Sequence, residues 1–400
     1  MQNIVIDKPY QFIPPRVSRF WLWVARCMVG RQLLRDFGVR AVECRGEERL
    51  RESLAAGHGV MLVGNHCRPC DPLVLDSLAR AVDRPFHTIA SWHLFMESRM
   101  KRFLLPRVGA FSVYREGMDR ESLKCAVQTM VDGARPLVIF AEGFITRSND
   151  RMVPFMEGPA FMARTAAKQR TNGKVMVHPV FTRYFFEGDL ATTVEPVLAE
   201  IENRLSWQPQ TGRLLLDRIG RVGLALLALK EIEFLGSPQQ GTVGQRLHRL
   251  IDHLLDPLET EWCAGRNDGD PMARVKRLRA AILPDLVGND LTESERARRW
   301  RQLAELYLVQ QLWCYPGDYI AEPTVERVLE TVERFEEDLT DLARAHPPLR
   351  AIITVGEGIE VGGARERGKA EDPVTVELRR RMETMLDESK SQRKVAQHGF

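Results

Sequence analysis

The chain has no run of about 18–20 apolar residues, the length a membrane-spanning helix needs, so no such helix is expected. It also lacks a long Lys/Arg tract or a basic repeat, and 57 Lys+Arg against 54 Asp+Glu leave a net charge of +3. That argues against nucleic acid as a partner. The seven cysteines are scattered and odd in number. This argues against a disulfide framework and for a reducing compartment. The opening "MQNIVIDKPYQFIPPR" has no charged start followed by an apolar stretch and a small-residue cleavage site, so no signal peptide is expected. There is no low-complexity tract, and the sequence shows no internal repeat. No G-x-S-x-G is present, which speaks against a serine nucleophile.

What is there is a long, ordinary composition. Four hundred residues, 44% hydrophobic and 28% charged, describe a soluble globular chain too long for one ordinary core. Two domains, or one with a large insertion, are expected. Residues 58–190 alternate strand-like runs ("HGVMLVGNH", "PFHTIASW", "RVGAFSVYR", "PLVIFAEG", "KVMVHPVFTRYF") with helix-like ones ("CDPLVLDSLARAV", "HLFMESRMKRFLL", "DRESLKCAVQTMVDG", "GPAFMARTAAKQ"). In "DRESLKCAVQTMVDG", Asp119 or Ser122 can cap the start, and Gly133 follows the end. Alternation of this kind predicts an α/β fold with a largely parallel sheet flanked by helices, whose ligands gather at the strand ends.

Residues 196–348 read instead as long helices, a large all-α insertion. The stretch "LRAIITVGEGIEVGG" (349–363) then returns to strand character and is expected to rejoin the sheet, because one strand makes no sheet alone. The expected division is 1–195, 196–348 and 349–400, the last completing the α/β domain. Two segments suggest a membrane surface. "FWLWVARCMVGRQLLRDFG" (20–38) mixes tryptophans with arginines, as an interfacial helix does, and as a helix packed on its own domain also does. "IGRVGLALLALKEIEFLG" (219–236) is too short in its apolar centre to span and is expected as a buried core helix. The charged stretches at 292–302 and 324–344 are expected as solvated faces.

The chemistry-bearing residues fall at the strand ends. His66 and Asp71 share the loop "NHCRPCD". A neutral imidazole can take a proton from a hydroxyl, best with one nitrogen held by a carboxylate. The same loop holds Cys67 and Cys70. A metal site or a plain polar turn is therefore also open, although no second C-x2-C supplies the remaining ligands of a structural zinc. No metal is expected. Arg115 ends "GAFSVYR" and is otherwise a surface partner for Glu116 or Asp119. Glu142 and Gly143 end "VIFAEG", where a carboxylate needs a partner, an arginine or a backbone N–H. Arg147 follows in "FITRSND", and Pro179 lies in "VHPVF". His87, His93 and His178 read as satisfied structural histidines.

This order of parts (NH-x4-D, G-x5-R, an apolar strand with Glu-Gly and a nearby Arg, an apolar strand with Pro) resembles the glycerophospholipid acyltransferase family, which includes the 1-acylglycerol-3-phosphate acyltransferases. The resemblance covers about residues 50–190. It implies His66 as the base that deprotonates the acceptor hydroxyl and Asp71 as its orienting partner. It implies Arg115 as a phosphate-binding arginine, Glu142 and Gly143 with Arg147 on the acceptor side, and Pro179 on the donor side or in shaping the site. It implies no cofactor, with acyl-CoA or acyl-acyl carrier protein as co-substrate, a lysophospholipid or other polyol-phosphate acceptor, and a cytoplasmic place on the inner face of a membrane.

The chain departs from the family pattern in "AEGFITRS". Ala141 stands for the usual proline, and Phe144 and Ile145 separate Gly143 from Thr146. Glu157 stands where many members have a basic residue. Other classes remain as alternatives: a catalytically silent lipid-binding or scaffolding protein, and a Cys67-dependent hydrolase.

Overall fold

The computed structural model describes residues 8–287, 291–315, 320–364, 368 and 371–392. The chain begins with α1 (Arg19–Phe37), β1 (Val39–Arg45), α2 (Glu47–Ala55), β2 (Gly59–Gly64), α3 (Asp71–Ala81) and β3 (His87–Ser91). It continues through α4 (Trp92–Met96), α5 (Arg99–Arg107), β4 (Ala110–Val113), α6 (Arg120–Asp132), β5 (Leu137–Phe140), α7 (Gly158–Gln169) and β6 (Val175–Phe186). Six helices follow: α8 (Leu190–Arg204), α9 (Leu215–Leu235), α10 (Val243–Trp262), α11 (Pro271–Val287), α12 (Glu293–Trp313) and α13 (Val325–Thr340). Then β7 (Leu349–Val355), β8 (Ile359–Val361) and α14 (Pro373–Lys390) close the chain. Two compact units result. One comprises residues 10–189 with 344–394, the other chiefly 190–343.

The first unit is α/β. Its sheet runs β1-β7-β6-β2-β5-β3-β4, with β8 beside the start of β6. From β6 to β4 all neighbours are parallel, while β7 and β8 run antiparallel to β6. Burial explains the sequences. Every residue of β2, "GVMLVG", is buried, as a parallel strand covered on both faces requires. α6, α7 and α14 cover one face with Met130, Ala163, Leu378 and Met382. α6 is capped as expected: the Asp119 side chain accepts from Ser122 N, and Gly133 turns left-handed. The single strand expected at 349–363 is two, β7 and β8, and both lie along β6. The single helix expected in "HLFMESRMKRFLL" is also two, because Ser98 is extended and caps α5. Among the described residues no helix is long and apolar enough to cross a membrane.

The second unit is all-α and overturns two expectations. The first concerns repeats. Arg218 donates from Nε and Nη2 to the two oxygens of Glu202 at 3.0 and 2.9 Å. Arg246 grips Glu231 with the same atoms at 2.8 and 2.6 Å, and Arg274 grips Glu259 at 2.9 and 2.8 Å. In each case the glutamate lies near the end of one helix and the arginine near the start of the next. The three arginines are 28 residues apart and begin "RIGRV", "RLHRL" and "RVKRL". The unit therefore contains three turns of one helical hairpin design. The second concerns solvated faces: Arg299, Glu326, Glu330, Arg334 and Glu336 are buried, so the stretches at 292–302 and 324–344 place charges inside as well as outside. α9 also differs from a core helix, since Leu224, Leu229 and Ile232 are exposed.

Candidate active site

Three parallel strands deliver the site. β2 stops at Gly64, and Asn65 is clamped at once to β6. Its amide N donates to Thr182 O at 2.9 Å, and its Oδ1 accepts from Thr182 N at 2.8 Å. His66 is then fixed by its own backbone. Its N–H donates to Glu142 Oε2 at 2.5 Å, and its carbonyl accepts from Thr146 N at 2.8 Å and Thr146 Oγ1 at 3.2 Å. The ring stacks on Phe140, the last residue of β5, with centroids 4.1 Å apart. Gly64 makes room for this: a Cβ there would sit 3.3 Å from the Phe140 ring.

The expected pair is joined. His66 Nδ1 and Asp71 Oδ2 are 2.8 Å apart. Asp71 opens α3, where the helix N-terminus favours negative charge, and it is fully buried. Oδ2 also accepts from Arg68 N at 3.0 Å. Oδ1 accepts from Tyr184 OH at 2.5 Å. The His66 side chain is 15% exposed. With Nδ1 donated to the carboxylate, Nε2 is the nitrogen left to accept a proton.

The other sequence-selected residues divide in two. Glu142, Gly143 and Arg115 meet: the Arg115 guanidinium donates to Gly143 O. Gly143 has φ +77°, a left-handed turn. Arg147 also takes a left-handed backbone next to Thr146, the residue that holds His66. Glu142 is buried with both oxygens on backbone groups, His66 N and Val153 N, the latter at 3.3 Å. Burial pushes its carboxyl up to about 8, against the pull of those two N–H groups. Pro179 is inside the sheet, in register with Val63, and its carbonyl accepts from Gly356 N at 2.8 Å. Glu157 accepts from Asp372 N at 3.1 Å.

The competing readings have little geometric support. Cys67 is buried, with its thiol directed at Thr182 O and Asp71 Oδ1. Among the described residues no group of three or more His, Cys, Asp or Glu could hold a metal ion. Asp119, which the sequence offers as an ion partner for Arg115, accepts instead from Tyr10 OH, Tyr114 N and Ser122 N. His178 is a satisfied core residue, bonded to Ser53 Oγ at 2.8 Å and Gly356 O at 3.0 Å.

Residues 41–183 match the family model Acyltransferase. That stretch is similar to the acyltransferases the model describes. The family is that of the glycerophospholipid and 1-acylglycerol-3-phosphate acyltransferases. No curated protein matches the chain. The matched stretch runs from β1 into β6, so it contains His66, Asp71, Arg115, Glu142, Gly143, Arg147 and Pro179. It supports acyl transfer in general, with an acyl donor and a lipid acceptor. Sequence reasoning missed Tyr184 and Asn65's partner Thr182. Both sit in "VFTRYFF", which reads only as an apolar strand, and nothing short of the β2–β6 register brings them to the His66 loop.

Proposed function

We propose that this protein moves a fatty acyl group from a thioester of coenzyme A or acyl carrier protein to the hydroxyl of a glycerophospholipid precursor such as lysophosphatidate. The observation that carries the reading is the 2.8 Å contact between His66 Nδ1 and Asp71 Oδ2 inside the stretch that matches the acyltransferase model. His66 Nε2 takes the hydroxyl proton as the oxygen attacks the thioester carbonyl. The C–S bond breaks, the imidazolium returns its proton to the departing sulfur, and a free thiol leaves. Asp71 keeps the ring in the Nδ1–H form and steadies the imidazolium. The donor is already activated, so the main gain comes from holding two substrates within reach.

Arg115 and Arg147 are the groups proposed to meet an anionic headgroup, by the fork geometry that suits phosphate. Glu142 and Gly143 hold the loop that presents them, and Pro179 shapes the strand behind. The reaction is placed at the inner face of a membrane, which the protein meets from the cytoplasmic side through α1. Phe20 and Trp23 of that helix are 61% and 64% exposed, and the same helix carries exposed Arg19 and Arg31.

The test uses acyl-CoA with a panel of lysolipids in vesicles and follows thiol release. His66→Ala is expected to lower the rate by about 10²–10⁴-fold, the usual worth of general base catalysis, with the fold retained by circular dichroism. Full activity in that variant removes His66 as base. Vesicle binding by the wild type without turnover of any acceptor leaves the silent lipid-binding alternative in its place.

A further inference from the structure

Asp71 is held by more than the histidine it faces. Its Oδ2 is shared by His66 Nδ1 and Arg68 N, while Oδ1 receives the Tyr184 hydroxyl at 2.5 Å. Tyr184 is fully buried and its backbone is fixed on both sides by Asn149, whose Oδ1 accepts from Tyr184 N at 2.9 Å and whose amide N donates to Tyr184 O at 3.1 Å. The phenol therefore has little freedom to leave the carboxylate. Burial pushes its ionisation well above the ordinary range, so it remains a donor. Because its proton goes to Asp71, its oxygen accepts from Cys70 Sγ, 3.3 Å away. The Cys70 thiol is pushed up to about 12, chiefly by burial, and so keeps its proton. The result is a chain that converges on one carboxylate: Cys70 S–H donates to the Tyr184 oxygen and Tyr184 O–H to Asp71 from one side, and His66 Nδ1–H donates to Asp71 from the other.

We infer that Tyr184 is a positioning residue that sets how strongly Asp71 draws on His66. This rests on the proposed role of His66 as base. The physical reason is competition for one carboxylate. A hydroxyl donor on Oδ1 takes part of the negative charge that would otherwise face the imidazole. With the donor removed, more charge faces His66 and the ring holds its proton to higher pH. With a stronger donor, it releases the proton earlier. Tyr184 is one residue past the end of the family match, so it is supplied by the part of β6 that reaches toward the antiparallel pairing with β7.

Two variants with opposite signs test this. Tyr184→Phe removes the hydroxyl. 3-Fluorotyrosine at position 184 keeps the shape and makes the hydroxyl a stronger donor. Two readouts apply to both: the acidic limb of the kcat/KM profile for acyl transfer, and the proton resonance of His66 Nδ1–H. In Tyr184→Phe the limb is expected to move to higher pH and kcat near neutrality to fall 3- to 10-fold, with the KM of the thioester unchanged. The Nδ1 proton is expected to move downfield. The fluorinated protein is expected to shift both the other way, and it keeps the test alive should the phenylalanine variant not fold. Shifts of the same sign in both, or a loss of Tm with neither readout moved, overturn the inference and leave Tyr184 as packing. The resonance needs no turnover. If the wild type transfers no acyl group but the resonance still shifts as stated, the function fails while the positioning role stands.

Discussion

Glu142 is a carboxyl group placed where water does not reach, and its titration has consequences for the site. In the folded chain it loses its proton near pH 8 rather than near the ordinary 4.5, with burial as the main cause. Between those values the folded state keeps a proton that the unfolded state has released. The stability this provides is complete below about 4.5 and is lost as pH rises through 8. Glu142→Gln has no such titration. Wild-type Tm is therefore expected to fall relative to the variant as pH goes from 5 to 8, and a difference that stays flat across that window would refute the assignment. His66 and Asp71 were legible because five residues in one loop suffice to join them. Glu142 was legible as a carboxylate needing partners, and its backbone partners supply that need. Its direct contact with an acceptor is a separate matter, since both oxygens already hold N–H groups. Tyr184 was invisible because its link to Asp71 spans 113 positions and depends on strand register.

Elements were readable where caps and periodicity agreed. α10 and α12 match the helical patterns in the sequence, each with a threonine cap, Thr242 and Thr292. α11 is harder to read because its apolar residues come between five charged ones and Pro284 lies inside it. The hairpin repeat escaped for another reason: what recurs is an ion-pair geometry, and only the short "RIGRV"-type stretches carry it in letters. α1 shows how one pattern can satisfy two readings at once. Its inner side is bound to the domain through Arg26 and Asp76 at 3.0 Å and through Trp21 edge-on to Phe103 at 5.1 Å. Its outer side leaves Phe20, Trp23, Met28 and Leu34 bare. Removing the two aromatics as Phe20→Ala with Trp23→Ala takes nothing from the catalytic loops. Flotation with vesicles containing anionic lipid is expected to fall at least 10-fold, while thiol release with a short-chain, water-soluble acceptor stays within 2-fold. Unchanged flotation would separate α1 from the membrane.

At the scale of the whole molecule, the α/β unit is built from two stretches of chain with the helical unit inserted between them. The insertion leaves and returns at one point. Phe186, the end of β6, pairs with Leu349, the start of β7, and Glu187 N donates to Pro348 O at 2.9 Å. In effect an antiparallel hairpin has had its loop replaced by six helices. β7 also has β1 as its second neighbour, so a chain cut before residue 349 would strand β1 at the sheet edge and leave β6 paired with β2 alone. Excising 190–343 and bridging the gap with a short Gly/Ser linker does not ask this of the sheet. Shortening a flexible loop relieves closure entropy, about 0.6 kcal/mol for each halving, so the excision does not penalise the pairing. The shortened chain is expected to unfold in one cooperative thermal transition. The helical unit expressed alone is expected to keep its helicity, because its core of Leu250, Leu254, Leu278, Leu306 and Val309 is its own and its ion pairs close within it. An insoluble shortened chain would mean that the sheet depends on the helices, and that the two units are one folding problem.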